Sequence, residues 1–157
     1  MRIAYFGSPQ HLNIYKHRRQ SYEDALREQD LTVEADLLII CDMKIEDGVS
    51  GMQQLLALPQ LPDAIFSASD LTMIGALGVL KEQGLCVPKD VGLMGFRNEL
   101  FSRLTEPKRT SVDQHCELMG QTASQLLLEI RHAQCQPFAH GHVVNQPNLL
   151  VRASSVR

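Results

Sequence analysis

Short runs of branched apolar residues alternate with longer segments of helical period along this chain. That alternation restricts its fold more than any other feature. Ile3 to Phe6 is an apolar run closed by Gly7-Ser8-Pro9, which predicts a buried strand entering a loop. Arg18 to Gln29 has helical spacing, with Tyr22, Ala25 and Leu26 on one face. Asp36 to Cys41 predicts a second strand. Asp47-Gly48 reads as a break, after which Val49, Met52, Leu55 and Leu56 recur at helical spacing. Ala64 to Ser67 predicts a third strand, and Asp70 is placed to cap the helix that follows and stops at Gly84. Val91 to Phe96 predicts a fourth strand and Thr110 to Val112 a short fifth. Leu118 to Ala133 predicts a long helix, and Val143-Val144 and Leu149 to Val151 closing strands.

Strand and helix in strict alternation predict an α/β fold, a three-layer parallel sheet with helices on both faces. Right-handed crossovers bring the C-terminal ends of the strands to one edge, where open α/β sheets bind ligands. The loops beginning near Gly7, Cys41, Ser67 and Phe96 are therefore where a site is expected.

Composition narrows the function. The 157 residues suit one domain. The net charge is −3 and no stretch is densely basic, against a dedicated nucleic-acid binder. The longest apolar run, Ala35 to Cys41, is too short to span a bilayer, and the N-terminus lacks a signal-peptide core. A cytoplasmic location is the expectation. Cys41, Cys86, Cys116 and Cys135 form no CxxC pair.

Candidate chemistry is sparse. There is no GxGxxG after the first strand and no GxxxxGK[ST], so no nucleotide cofactor is expected. His140 and His142 share a face of a possible strand, which could hold a metal with a third group; a pair of surface histidines is the plainer reading, and no metal is expected. His115-Cys116 are adjacent, which is poor geometry for sharing a proton. Asp42 and Asp70 stand at strand ends without specifying a reaction. Arg18, at the start of the first helix, and Arg97, after the fourth strand, are the more informative pair. A guanidinium at the ligand edge suits carboxylate, phosphate or paired hydroxyls, and solvated surface groups are the plain alternative.

PDAIFSASDLTMIGALGVLKEQGLCVPKDVGLMGF, EPKRTSVDQHCELMGQTASQLLLEI and the tail QPNLLVRASS together resemble the lactose/galactose-repressor (LacI/GalR) family of transcription regulators. The opening IAYFGSPQHLNIYKHRRQSYEDAL resembles the start of that family's second sensor subdomain. The resemblance implies a fold like type I periplasmic binding proteins and no enzymatic activity. It implies a second subdomain over residues 1–104, a crossover segment over 105–135 that joins the first subdomain in family members, and closing strands over 136–157. It covers no helix-turn-helix headpiece, so operator DNA is expected as a partner only through such a headpiece outside this sequence.

Residue by residue, the resemblance implies that Arg18 and Gln114 contact the effector. Ser69 stands where sugar-binding members often carry Asn, and Arg97 where they commonly carry Asp. The second exchange reverses a charge, so the expected effector is a sugar derivative and an anionic one is indicated. The resemblance also implies a homodimer through the helix from Asp70, and Leu71, Ile74, Leu77 and Gly78 are its expected contacts. The helix 118–133 is expected not to lie bare but to dock on another copy or on a neighbouring chain by exchange, with Thr105 to Lys108 as the hinge; folding back onto its own sheet is the alternative. The alternatives are a stand-alone periplasmic-type sugar-binding protein, which would carry a secretion signal, and a small α/β enzyme, which would carry a nucleophile elbow or cofactor loop.

Overall fold

The computed structural model describes residues 1–132 and 143–156. The helical side chain of His132 is not described. Six strands form one sheet: β1 (Ile3–Gly7), β2 (Leu38–Ile40), β3 (Ala64–Ser67), β4 (Gly92–Phe96), β5 (Thr110–Asp113) and β6 (Asn148–Leu150). Their order is β2-β1-β3-β4-β5-β6. The first five run parallel and β6 closes the edge antiparallel to β5, so the sheet is mixed at one border. Val143 and Val144 form no strand. Among the described residues, four α-helices accompany the sheet: α1 (Asn13–Glu28), α2 (Ile45–Leu56), α3 (Asp70–Glu82) and α4 (Cys116–His132).

Successive residues of a strand face opposite layers. Tyr5 stacks on Tyr22 of α1 at 4.9 Å, whereas Phe6 and Ile39 lie against Gly51 of α2. Helices therefore cover both faces. α2 and α3 pack unusually close. A Cβ on Gly48 would fall 1.9 Å from the Thr72 carbonyl oxygen, and one on Gly75 would fall 2.0 Å from that of Ile45. Gly48 is thus inside α2 rather than at a break, and Asp47 accepts from the Lys44 amide at the start of that helix. Buried Met52, Leu55, Met73, Ala76 and Leu80 complete this layer. Gly84 follows α3 with φ +70, the left-handed conformation that glycine adopts without Cβ strain.

Asp70 does not cap α3. Ser69 is the extended N-cap residue, and its hydroxyl accepts from the Leu71 amide. The Asp70 carboxylate is wholly buried and turns the other way. It accepts from the Glu99 amide at 2.9 Å and from the Ser102 and Ser111 hydroxyls at 2.9 and 3.0 Å. This knot ties α3 to β5 and to the 3₁₀ turn Leu100–Arg103. Ser154 ties in the chain's far end. Its hydroxyl accepts from the Thr110 amide and donates to the Leu93 carbonyl.

The segment assigned to the crossover begins inside the sheet, because β5 pairs with both β4 and β6. Arg109 before it is fully buried, and the Lys108 carbonyl accepts from the Ser154 amide. Thr105 to Lys108 is therefore anchored. The chain leaves the sheet at Gln114-His115, where His115 has φ +54. α4 then projects with Leu118, Met119, Leu127 and Ile130 exposed.

Candidate effector site at the strand edge

All five parallel strands end on one edge, and a cavity of about 420 Å³ opens there. Each loop at this edge contributes. α1 brings Ile14, Tyr15 and Arg18; the β2–α2 loop brings Asp42, Met43 and Lys44; the β3–α3 junction brings Ala68, Ser69 and Leu71; Arg97 follows β4 and Gln114 follows β5. Arg18, Ser69, Arg97 and Gln114, the four residues expected from sequence, thus line one space.

α1 begins at Asn13, five residues ahead of the sequence expectation, so Arg18 sits within the helix. Its guanidinium carbon lies 3.8 Å from the centroid of the Phe96 ring, and Nη1 donates to the Ala68 carbonyl at 2.9 Å. The ring and the carbonyl fix the planar group at the cavity wall. Burial pushes the Arg18 guanidinium below its ordinary pKa, nearby Arg97 pushes the same way, and Tyr15 and Tyr5 oppose them. Among the described residues no carboxylate forms an ion pair with Arg18.

Arg97 has φ +107 and Asn98 φ +51, a backbone kink at the strand end. The Arg97 amide still donates to the Val112 carbonyl, and the Asn98 amide to the Ser111 hydroxyl. The Arg97 side chain is half-exposed and lies 3.5 Å from the similarly exposed Glu99. Asp42 and Lys44 face each other at 3.7 Å. Met43 between them has φ +66 and is buried.

Sequence reasoning missed the network beside this cavity. Asn98 donates to Asp113 and accepts from Arg152, and Asp113 also accepts from the His115 amide. The His115 amide holds the Asp113 carboxyl below its usual range, burial opposes this, and the Asn98 side chain reinforces it. The network fixes the exit of the chain toward α4. Arg152 was visible only as part of a tail motif.

Of the expected dimer contacts, Leu71 and Ile74 are half-buried and Gly78 is exposed, forming the outer stripe of α3. Leu77 is only 4% exposed and belongs to the core of its own chain, so it is removed from that set. His115 Nδ1 stands 4.0 Å from Asp113, and Cys116 is exposed. Cys135, His140 and His142 lie outside the described residues. Among the described residues, no three His, Cys, Asp or Glu groups gather to hold a metal, and no helix is long and apolar enough to cross a membrane.

The family description "Periplasmic binding protein-like domain" matches residues 1–155. The repressor CytR of Escherichia coli K12 is 34% identical over 98% of this chain. Among solved structures, a transcriptional regulator CelR–cellobiose complex is similar with a TM-score of 0.85 and 35% identity over 98% of this chain. A LacI-family regulatory protein of Chloroflexus aggregans has a TM-score of 0.88 and 28% identity over 99%. The chain spans only part of each: 45% of CytR, 46% of the CelR chain and 55% of the Chloroflexus chain. The matched family and these relatives agree: the chain belongs to the periplasmic binding protein-like domain family, and is similar to the corresponding part of LacI-family regulators.

Proposed function

We propose that this chain is the effector-sensing part of a cytoplasmic LacI-type transcription regulator, and that its effector is a sugar-like small molecule. One observation carries the reading: Arg18, Ser69, Arg97 and Gln114 arrive from four separate connections and line a single cavity at the ligand edge of the sheet. The cellobiose bound to a similar CelR supports a sugar. The expected mechanism is a population shift, in which an effector at this edge favours one closure of a two-part sensor and so alters operator affinity. The Arg97 kink lies at this cavity and the Asn98–Asp113–Arg152 network at the exit toward α4, where a change of closure would be felt.

The regulator acts as a homodimer in this reading. The outer stripe of α3, Leu71, Ile74 and Gly78, follows Asp70, whose carboxylate holds Ser102 of the 3₁₀ turn; Leu100 in that turn and Leu104 just after it are exposed. Calorimetric titration with mono- and disaccharides, nucleosides and their acidic derivatives tests the sensing role. A saturable heat that Arg18→Ala abolishes is expected. A heat that Arg18→Ala leaves unchanged would move the ligand to another site.

A further inference from the structure

We propose that the effector carries an oxyanion, a phosphate ester or a carboxylate, which this edge seats between Arg97 and Arg18 at the start of α1. The inference rests on the sensing role above and specifies its ligand. The cavity lining holds three cations, Arg18, Arg97 and Lys44, against one carboxylate, Asp42. That carboxylate already faces Lys44 at 3.7 Å. Arg18 and Arg97 line the same cavity, and the charge of Arg97 disfavours that of Arg18. A neutral polyol would leave this repulsion in place. An oxyanion between the two would relieve it and accept from both forks.

The backbone adds to the same sign. α1 starts with no acidic residue in its first turn and no side-chain cap at Leu12. The Tyr15 amide donates to the Leu12 carbonyl, but no carboxylate offsets the positive end of the helix, beside the cavity residues Ile14, Tyr15 and Arg18. α2 and α3 differ, since Glu46 and Asp47, or Asp70, stand in their first turns. Among the described residues Glu99 is the acid paired with Arg97, and at 3.5 Å with both groups partly exposed it is a weak competitor. Arg18 is different in kind. Phe96 and the Ala68 carbonyl hold it in place before any ligand arrives.

Binding of simple probes at constant ionic strength tests this without knowledge of the whole effector. Amide and arginine side-chain resonances are followed during titrations with inorganic phosphate, acetate, chloride and glucose. Saturable shifts at Tyr15, Arg18, Ser69 and Arg97 are expected with phosphate or acetate and not with matched chloride. Whichever of the two binds more tightly identifies the phosphate or the carboxylate class. Arg97→Gln should weaken that binding at least tenfold, and Arg97→Lys should retain most of it. Phosphate and acetate that act no differently from chloride, or that bind Arg97→Gln as well as wild type, overturn the proposal. Glucose shifts at these residues without an oxyanion response would leave the sensing role standing and refute the acidic ligand. An oxyanion response with no glucose response would uphold the anion site and count against a sugar skeleton.

Discussion

Helices α3 and α4 are both rich in apolar residues, yet one is enclosed and the other bare. α3 buries Met73, Ala76, Leu77, Val79 and Leu80, meets α2 across two glycines, and starts at the Asp70 knot. α4 leaves Leu127 and Ile130 at 67% and 52% exposure. Apolar content is therefore a poor guide to where the stability of this chain resides. What distinguishes α3 is a neighbour at backbone contact distance and a buried polar anchor. The contrast also separates positions: the enclosed layer holds the strand edge that forms the cavity, while α4 carries exposed apolar side chains.

The largest test of this contrast is Asp70→Ala. It leaves two buried hydroxyls and an amide without their acceptor, and it removes the charge that favours ionised Arg109, whose Nε already has no partner. A loss of about 3–5 kcal/mol in urea unfolding is expected, in the range seen when a buried charged network is broken. A loss under about 1 kcal/mol would show that the knot is not an anchor.

Matched truncations come next. Met73→Ala in α3 should cost about 2–5 kcal/mol, because its side chain is fully buried. Leu127→Ala in α4 should stay within about 0.5 kcal/mol under dilute conditions. Equal losses would mean that α4 is packed against something in solution.

The fold was largely legible in the sequence because parallel strands, buried on both faces, read as short branched runs with loops at one edge. That Arg18 and Arg97 would meet at one edge was legible for the same reason, whereas Ser69 and Gln114 were named only through the family resemblance; all four line the strand-edge cavity. What was not legible depends on distant partners. Asp70 looks like a cap locally, and only Ser102 and Ser111, more than 30 residues away, show otherwise. Gly48 looks like a break until Thr72 lies against it. On a helix as evenly apolar as α3, spacing does not separate Leu77 inside from Leu71 and Ile74 outside. The direction of β6 is set by its pairing with β5, more than 30 residues earlier in the chain, so its antiparallel course was missed.

A smaller effect concerns association. Because its apolar side chains are exposed, α4 should draw copies of this chain together as concentration rises. Light scattering on wild type and Leu127→Asp/Ile130→Asp should show a mass increase in the first that is absent in the second, with similar unfolding midpoints. A monomeric wild type at high concentration would contradict this.

The smallest expected effect is a pH dependence at Asp113. Its folded pKa is depressed, so its contribution is present above the unfolded carboxyl value and is lost as pH falls through the lower folded value. The window therefore lies below about pH 4. Asp113→Asn should reduce the acid dependence of the urea midpoint there and leave the dependence above pH 5 as it is. An unchanged profile below pH 4 would show that the Asn98–Asp113 contact contributes nothing in solution.

Hydrogen exchange with and without a ligand found by calorimetry tests the location of the sensor most directly. The account predicts added protection at Tyr15 to Arg18, Met43, Ser69 to Leu71, Arg97 and Gln114, the residues around the strand-edge cavity. Protection confined instead to the apolar groove beside α1, lined by Ala25, Phe66 and Met94, would contradict it.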